Sequence, residues 1–188
     1  MMANAEDVRG VPGRLAEAGI RLVLLEHLPR TKLDGATVWP TAQEPVVAVS
    51  TRYDRIDHFW FTLMHELAHV AAGDGKKNQW LLDNELADQS SEGALDRPKY
   101  ELDADRVASE NLVPRKAFEE WANRVGPYYT AETIRDFAAR LGVHPGIVVG
   151  QIHHREQNYS QFRQYLVKVR QFLAQSAISD GWGRPVSI

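Results

Sequence analysis

Apolar positions along the chain keep one spacing up to about residue 50 and another after it. In the first part three short runs read as strands: Ile20-Arg21-Leu22-Val23-Leu24-Leu25, then Ala36-Thr37-Val38-Trp39, then Pro45-Val46-Val47-Ala48-Val49-Ser50. Asp34-Gly35 opens the second run and Pro40 stops it. Branched residues fill the runs, breakers separate them, and the short gaps predict antiparallel neighbours. Ahead of them, residues 11–18 predict a short helix. Beyond Ser50 the apolar residues Trp60, Leu63, Leu67, Val70 and Ala71 recur at helical spacing and predict a helix over 58–72. Asp57 is placed to cap its start and Gly73 to stop it.

Residues 74–96 are polar and poor in branched side chains, and they predict a long surface loop with one helical turn near 80–82. Loops of that length are uncommon unless they serve a site. A second strong helix is expected over 101–112, between Pro98 and Pro114. Further helical patterns cover 115–124, 131–141, 145–154 and 159–176. Strands first and helices after them predict an α+β fold. Its parts are a small antiparallel sheet packed on the 58–72 helix and a mostly helical C-terminal half. Residues 1–158 are expected to form the main domain, with 159–188 a helix and tail packed on it.

Composition narrows the classes. With 188 residues, 44% of them hydrophobic and 25% charged, the chain suits one soluble domain. It has no cysteine, which excludes disulfides and thiolate chemistry. A net charge of −3 argues against a general electrostatic grip on nucleic acid. No apolar stretch approaches a membrane span, and the first residues lack the apolar core of a signal peptide, so a cytoplasmic location is expected.

The strongest chemical signal is His65-Glu66-Leu67-Ala68-His69 inside the 58–72 helix. Residues four apart lie on one helix face, so both imidazoles can bind one Zn²⁺ ion. Glu66 is rotated by roughly 100° and can reach water beside the metal as a general base without being a ligand. Three polar side chains in an otherwise apolar segment would be costly to bury without a task. A catalytic zinc site commonly takes a third protein ligand. Without cysteine that ligand is His, Asp or Glu, and Glu101 in Tyr100-Glu101-Leu102-Asp103-Ala104-Asp105 is the best placed. Asp105, one turn on, suits a carboxylate behind a ligating histidine. Asp103 is the rival for either role. Ligand type favours one Zn²⁺ per chain, and manganese or iron also suit a two-histidine, one-glutamate set.

These residues, in Phe61-Thr62-Leu63-Met64-His65-Glu66-Leu67-Ala68-His69-Val70 and Glu101-Leu102-Asp103-Ala104-Asp105-Arg106-Val107-Ala108-Ser109-Glu110-Asn111-Leu112-Val113-Pro114, resemble the ImmA/IrrE family of zinc metallopeptidases. The resemblance extends through Leu33-Asp34-Gly35-Ala36-Thr37-Val38-Trp39 and Leu141-Gly142-Val143-His144-Pro145-Gly146-Ile147-Val148-Val149-Gly150, and the tail with Asp180-Gly181-Trp182-Gly183 also looks like the ends of some members. Position 105 is Asp where many members have Asn, and position 107 is Val where many have Phe. The resemblance implies a gluzincin-type site and cleavage of a helix-turn-helix repressor of the Xre type, or an antitoxin, in stress response or in mobile-element and toxin–antitoxin regulation. The sequence ahead of the first strand is too short for a DNA-binding domain, so that partner is expected on a separate polypeptide.

Two readings compete. Residues 130–154 have a helix-turn-helix look, and residues 140–188 hold six Lys/Arg against two Asp/Glu. The start of the second helix is apolar, however, and offers only His144 and Gln151 for base readout, so direct nucleic-acid binding is not expected. The other reading is a metal-dependent regulatory or antitoxin-like protein without peptidase activity, acting through the same site or the 74–96 loop. An oxyanion-stabilising donor is left open among Tyr100, Tyr128, Tyr129, His58 and His144. His153 and His154 are read as a solvated helix end, and Asp54 and Asp57 as caps.

Overall fold

The computed structural model describes residues 2–25, 33–76, 81–84 and 97–173. A 3-10 turn, Ala5–Gly10, leads into α1, Val11–Glu17. Strands β1 (Arg21–Leu25), β2 (Leu33–Thr41) and β3 (Glu44–Ser50) follow, then helix α2 (Ile56–Ala72), strand β4 (Leu81–Asn84) and helix α3 (Lys99–Leu112). Helices α4 (Arg115–Val125), α5 (Ala131–Leu141) and α6 (Pro145–Glu156) complete the helical half. A second 3-10 turn, Arg163–Tyr165, and a short α7, Arg170–Leu173, end the described part. The architecture is α+β and mostly helical, as the change in apolar spacing predicts.

The sheet runs in the order β1-β3-β2-β4. β2 and β3 form an antiparallel hairpin, with Thr37 opposite Val47 and Gly35 opposite Val49. The expected all-antiparallel sheet needs one correction, because β1 pairs with β3 in parallel, Leu22 opposite Val47. Gap length constrains the direction of successive strands and leaves their order open. Seven residues join β1 to β2. That is ample to step over one strand, an extra spacing of about 4.8 Å. β3, with Val47 and Val49 fully buried, then occupies the interior position. The 74–96 segment needs a correction too. Residues 81–84 form β4, antiparallel to β2, where a helical turn was expected near 80–82. Pairing with an open sheet edge overrides a weak local preference. The other residues of that segment after position 76 lie outside the described ones, as does the tail after position 173.

α2 lies across the sheet and carries Ile56, Phe59, Trp60 and Leu63 into the core. Its start is not capped by Asp57. Arg55 is the N-cap residue, and the Asp57 carboxylate pairs with the Arg55 guanidinium. Asp54 does act as a cap, but for α7: its carboxylate accepts the backbone N–H groups of Val169 and Arg170 at 3.0 and 2.7 Å. Over its described residues, up to 173, the helix expected at 159–176 is instead a 3-10 turn and the short α7. Its backbone is used elsewhere, since the Val167 carbonyl accepts the Ile56 N–H at 3.0 Å and the Gln161 carbonyl meets His153 at 2.6 Å.

α6 is buried along its first turns, with Gly146, Ile147, Val148 and Val149 enclosed. A Cβ on Gly146 would strike the Tyr165 carbonyl and Ile56, so the start of this helix packs closely against α2. His153 is also buried, which corrects its assignment to a solvated helix end; only His154 is exposed.

Candidate metal centre

α2 presents polar side chains in two directions. Toward α3 it offers His65 and His69, and toward β2 it offers Glu66; all three are at most 1% exposed. Glu101 opens α3 opposite the histidines. The His65 Nε2 lies 3.0 Å from the His69 Nε2 and 3.1 Å from Glu101 Oε2, and the His69 Nε2 lies 3.6 Å from the same oxygen. These three residues form a group able to hold a metal ion.

Carboxylates sit behind both rings. Asp105 Oδ1 is 2.9 Å from the His65 Nδ1, and Asp74 Oδ2 is 3.0 Å from the His69 Nδ1. An ionised carboxylate only accepts, so each Nδ1 carries a proton and each Nε2 presents a lone pair. Two lone pairs and a carboxylate oxygen therefore converge on one point, an arrangement that repels itself unless positive charge lies between them. Tetrahedral Zn²⁺ with bonds of about 2.0–2.1 Å would hold its ligands about 3.3 Å apart. The observed separations of 3.0, 3.1 and 3.6 Å bracket that value. The donor set fits a divalent cation.

The electrostatics agree. Burial works against charge on Glu101, but hydrogen bonds with His65 and His69 outweigh it and bring its pKa from 4.5 down to about 2. Burial likewise opposes a charged His69, yet its bonds to Glu101 and Asp74 carry its pKa above the ordinary 6.5. Both shifts favour positive charge beside an ionised carboxylate.

Asp105 stands behind His65 as expected, and its other oxygen accepts from Arg97 at 2.6 Å. Asp103 is not at the site. It is half exposed and pairs with Arg106 at 3.7 Å. Among the residues considered as oxyanion donors, Tyr100 stacks edge-on to His69, their centroids 5.9 Å apart. The others are occupied elsewhere. Tyr129 donates to Glu156 at 2.9 Å, and burial with that bond pushes its pKa up to about 12. His144 caps α6 by accepting from Gly146, and its burial lowers its pKa. His58 lies 3.4 Å from the fully buried Asp34, and Tyr128 is 85% exposed.

Three contributors were not assigned from sequence. Asp74 directly follows the Gly73 that ends α2, so an acid just past the helix stop was the available signal. Thr37 donates its hydroxyl to Glu66 Oε2 at 2.6 Å. Gly35 lies under the other carboxylate oxygen, where a Cβ would collide with Glu66 and come within 2.8 Å of the Thr62 methyl. β2 thus shapes the seat of Glu66, with one residue gripping and another making room.

The profile of the Peptidase_M78 family, an IrrE N-terminal-like domain, matches residues 16–153. That span contains every side chain of the cluster, so the fold and site define a metallopeptidase-type domain. The chain belongs to the Peptidase_M78 (IrrE N-terminal-like) family. Comparisons with curated proteins and with solved structures gave no significant match. Among the described residues no helix is long and apolar enough to cross a membrane.

Proposed function

We propose that the protein is a zinc-dependent endopeptidase acting on a separately encoded protein, a helix-turn-helix repressor of the Xre type or an antitoxin. The observation that carries the hydrolytic part is the meeting of His65, His69 and Glu101 on one point with the buried Glu66 one residue away. The substrate class rests on the resemblance of the sequence to ImmA/IrrE peptidases.

His65, His69 and Glu101 would hold the ion, with Asp105 and Asp74 fixing the two rings. A bound divalent cation supplies Lewis acidity, polarising a carbonyl and acidifying water. Glu66, oriented by Thr37, takes the proton from the attacking water and returns it to the leaving amine. For the oxyanion donor our reading takes Tyr100, on the strength of its ring lying edge-on to His69.

Glu66→Gln tests the reading. It keeps the shape of the side chain and removes the base. The variant should retain zinc, measured by elemental analysis, and lose cleavage of a purified repressor substrate by at least about 100-fold. Parental cleavage would remove Glu66 from the mechanism. A zinc-loaded parent that binds a repressor without cutting it would favour the non-proteolytic regulatory role.

A further inference from the structure

A second chain of contacts joins His69 to the sheet, and no step of the proposed reaction uses it. α2 ends in a Schellman turn, in which Gly73 donates its N–H to the Val70 carbonyl at 3.1 Å and Asp74 donates to the His69 carbonyl at 3.0 Å. Gly73 supplies the left-handed backbone the turn needs, with φ at 73°. Asp74 therefore holds His69 twice, once through the backbone and once through its carboxylate on the ring. The turn is in turn pinned from β2. Trp39 donates its indole N–H to the Asp74 carbonyl at 2.7 Å, and the Lys76 ammonium sits 4.3 Å above the same indole.

The two rings are thus braced differently. Asp105 stands inside the 14-residue helix α3, whose own hydrogen bonds fix it. Asp74 stands past a helix end, and its ties to α2 run only to His69, the residue it has to hold. Ligand geometry tolerates displacements of only about 0.5 Å. An anchor from outside the helix is what such a position requires.

We propose that Trp39 is a positioning residue for the ligand His69: its indole holds the 73–76 turn so that Asp74 keeps the ring's Nε2 directed at His65 and Glu101. This rests on the metallopeptidase reading of the site. Trp39 offers no ligand atom and touches no reacting group. Its effect passes through Asp74 to the affinity for the ion.

The test is Zn²⁺ affinity by chelator competition on the full chain, for the parent, Trp39→Phe, Asp74→Ala and the double variant. Phenylalanine keeps an aromatic ring under Lys76 and removes the indole N–H together with part of the ring's bulk. Asp74→Ala should weaken binding about 10–100-fold, as loss of a carboxylate behind a ligand does. Trp39→Phe should weaken it about 3–10-fold, the range of one neutral hydrogen bond. The double variant should be no weaker than Asp74→Ala, because the carboxylate that the tryptophan positions on the ring is then already gone. A double variant showing the product of both losses overturns the proposal, and so does a Trp39→Phe protein that binds like the parent. A parent that binds no Zn²⁺ overturns the metallopeptidase reading itself, an outcome seen in the parent titration alone. Should Trp39→Phe fail to fold, proton exchange at the Trp39 indole in the zinc-loaded parent decides instead. Slow exchange is expected, and exchange at the rate of an exposed indole would overturn the proposal.

Discussion

The seam between α2 and α3 and the packing around α6 bury histidines to the same depth and use them in opposite ways. His65, His69 and His153 are each at most 1% exposed. In the seam each Nδ1 is held by a carboxylate and each Nε2 faces a shared point with Glu101. At α6 the Nε2 of His153 donates to the Gln161 carbonyl at 2.6 Å, and the ring lies edge-on to Tyr159 with centroids 5.6 Å apart. That ring fills space and ties residue 161 to a helix. Burial of a titratable group is therefore a poor marker of a site. Convergence of several acceptors on one point is the better one, because only a cation or a proton relieves it.

Removing each ring separates the two uses most sharply, and the effect should be the largest of all. His69→Ala should lose stoichiometric zinc, falling from about one ion per chain to a small fraction by elemental analysis. His153→Ala should keep the zinc and lose stability, by about 2 kcal/mol or more in denaturant unfolding, from a cavity and a lost hydrogen bond. If His153→Ala lost the metal as well, the two regions would be one cooperative unit and the contrast would fail.

A second substitution sharpens the comparison within the site. Gly35 makes room for Glu66, and the Cβ of alanine would collide with that carboxylate. The ligands face α3, whereas Gly35 and Thr37 of β2 touch only Glu66 among the site residues described. Gly35→Ala should therefore lower the rate of cleavage about 100-fold, the cost of displacing a reacting group by about 1 Å, with zinc content unchanged. A variant that lost zinc in proportion to activity would mean that the glycine supports the metal ligands instead.

The same contrast explains what the sequence made legible. The pair of histidines, Glu101 and Asp105 are all fixed by helical spacing within α2 or α3, a local property that one-dimensional pattern carries well. Asp74, Thr37 and Gly35 act across elements, on residues 5, 29 and 31 positions away in the chain. No local period encodes such contacts. The helices over 115–124 and 131–141 were legible because proline, glycine and Thr130 punctuate them. The segment after Tyr159 was not, because its backbone serves Ile56, His153 and Asp54 in preference to its own turns. Strand order was lost for the same reason: whether β3 lies between β1 and β2 is decided by what covers its faces, not by the length of the connections.

The smallest expected effect is one of pH, and it turns on the proton as a substitute for the metal. In the stripped protein the charged His69 meets Glu101 and Asp74. Its pKa is raised by folding, so its contribution to stability is complete below about 6.5 and is lost as pH rises through the higher folded value. Glu101 has its pKa lowered to about 2, so its contribution is complete above its ordinary 4.5 and is lost as pH falls toward 2. The site should therefore stabilise the stripped protein most between about pH 4.5 and 6.5, and less at pH 8. Zinc competes with the proton and should stabilise more as pH rises. Melting temperatures of the stripped and loaded protein should diverge between about pH 5.5 and 8, by about 2–4 °C for each kcal/mol in a chain of this size. His153 lies outside the group that could hold the ion, so His153→Ala should leave this divergence intact, whereas His69→Ala should abolish it. Melting temperatures of the two parent forms that ran parallel with pH would show that protons and zinc do not compete for the same point between α2 and α3.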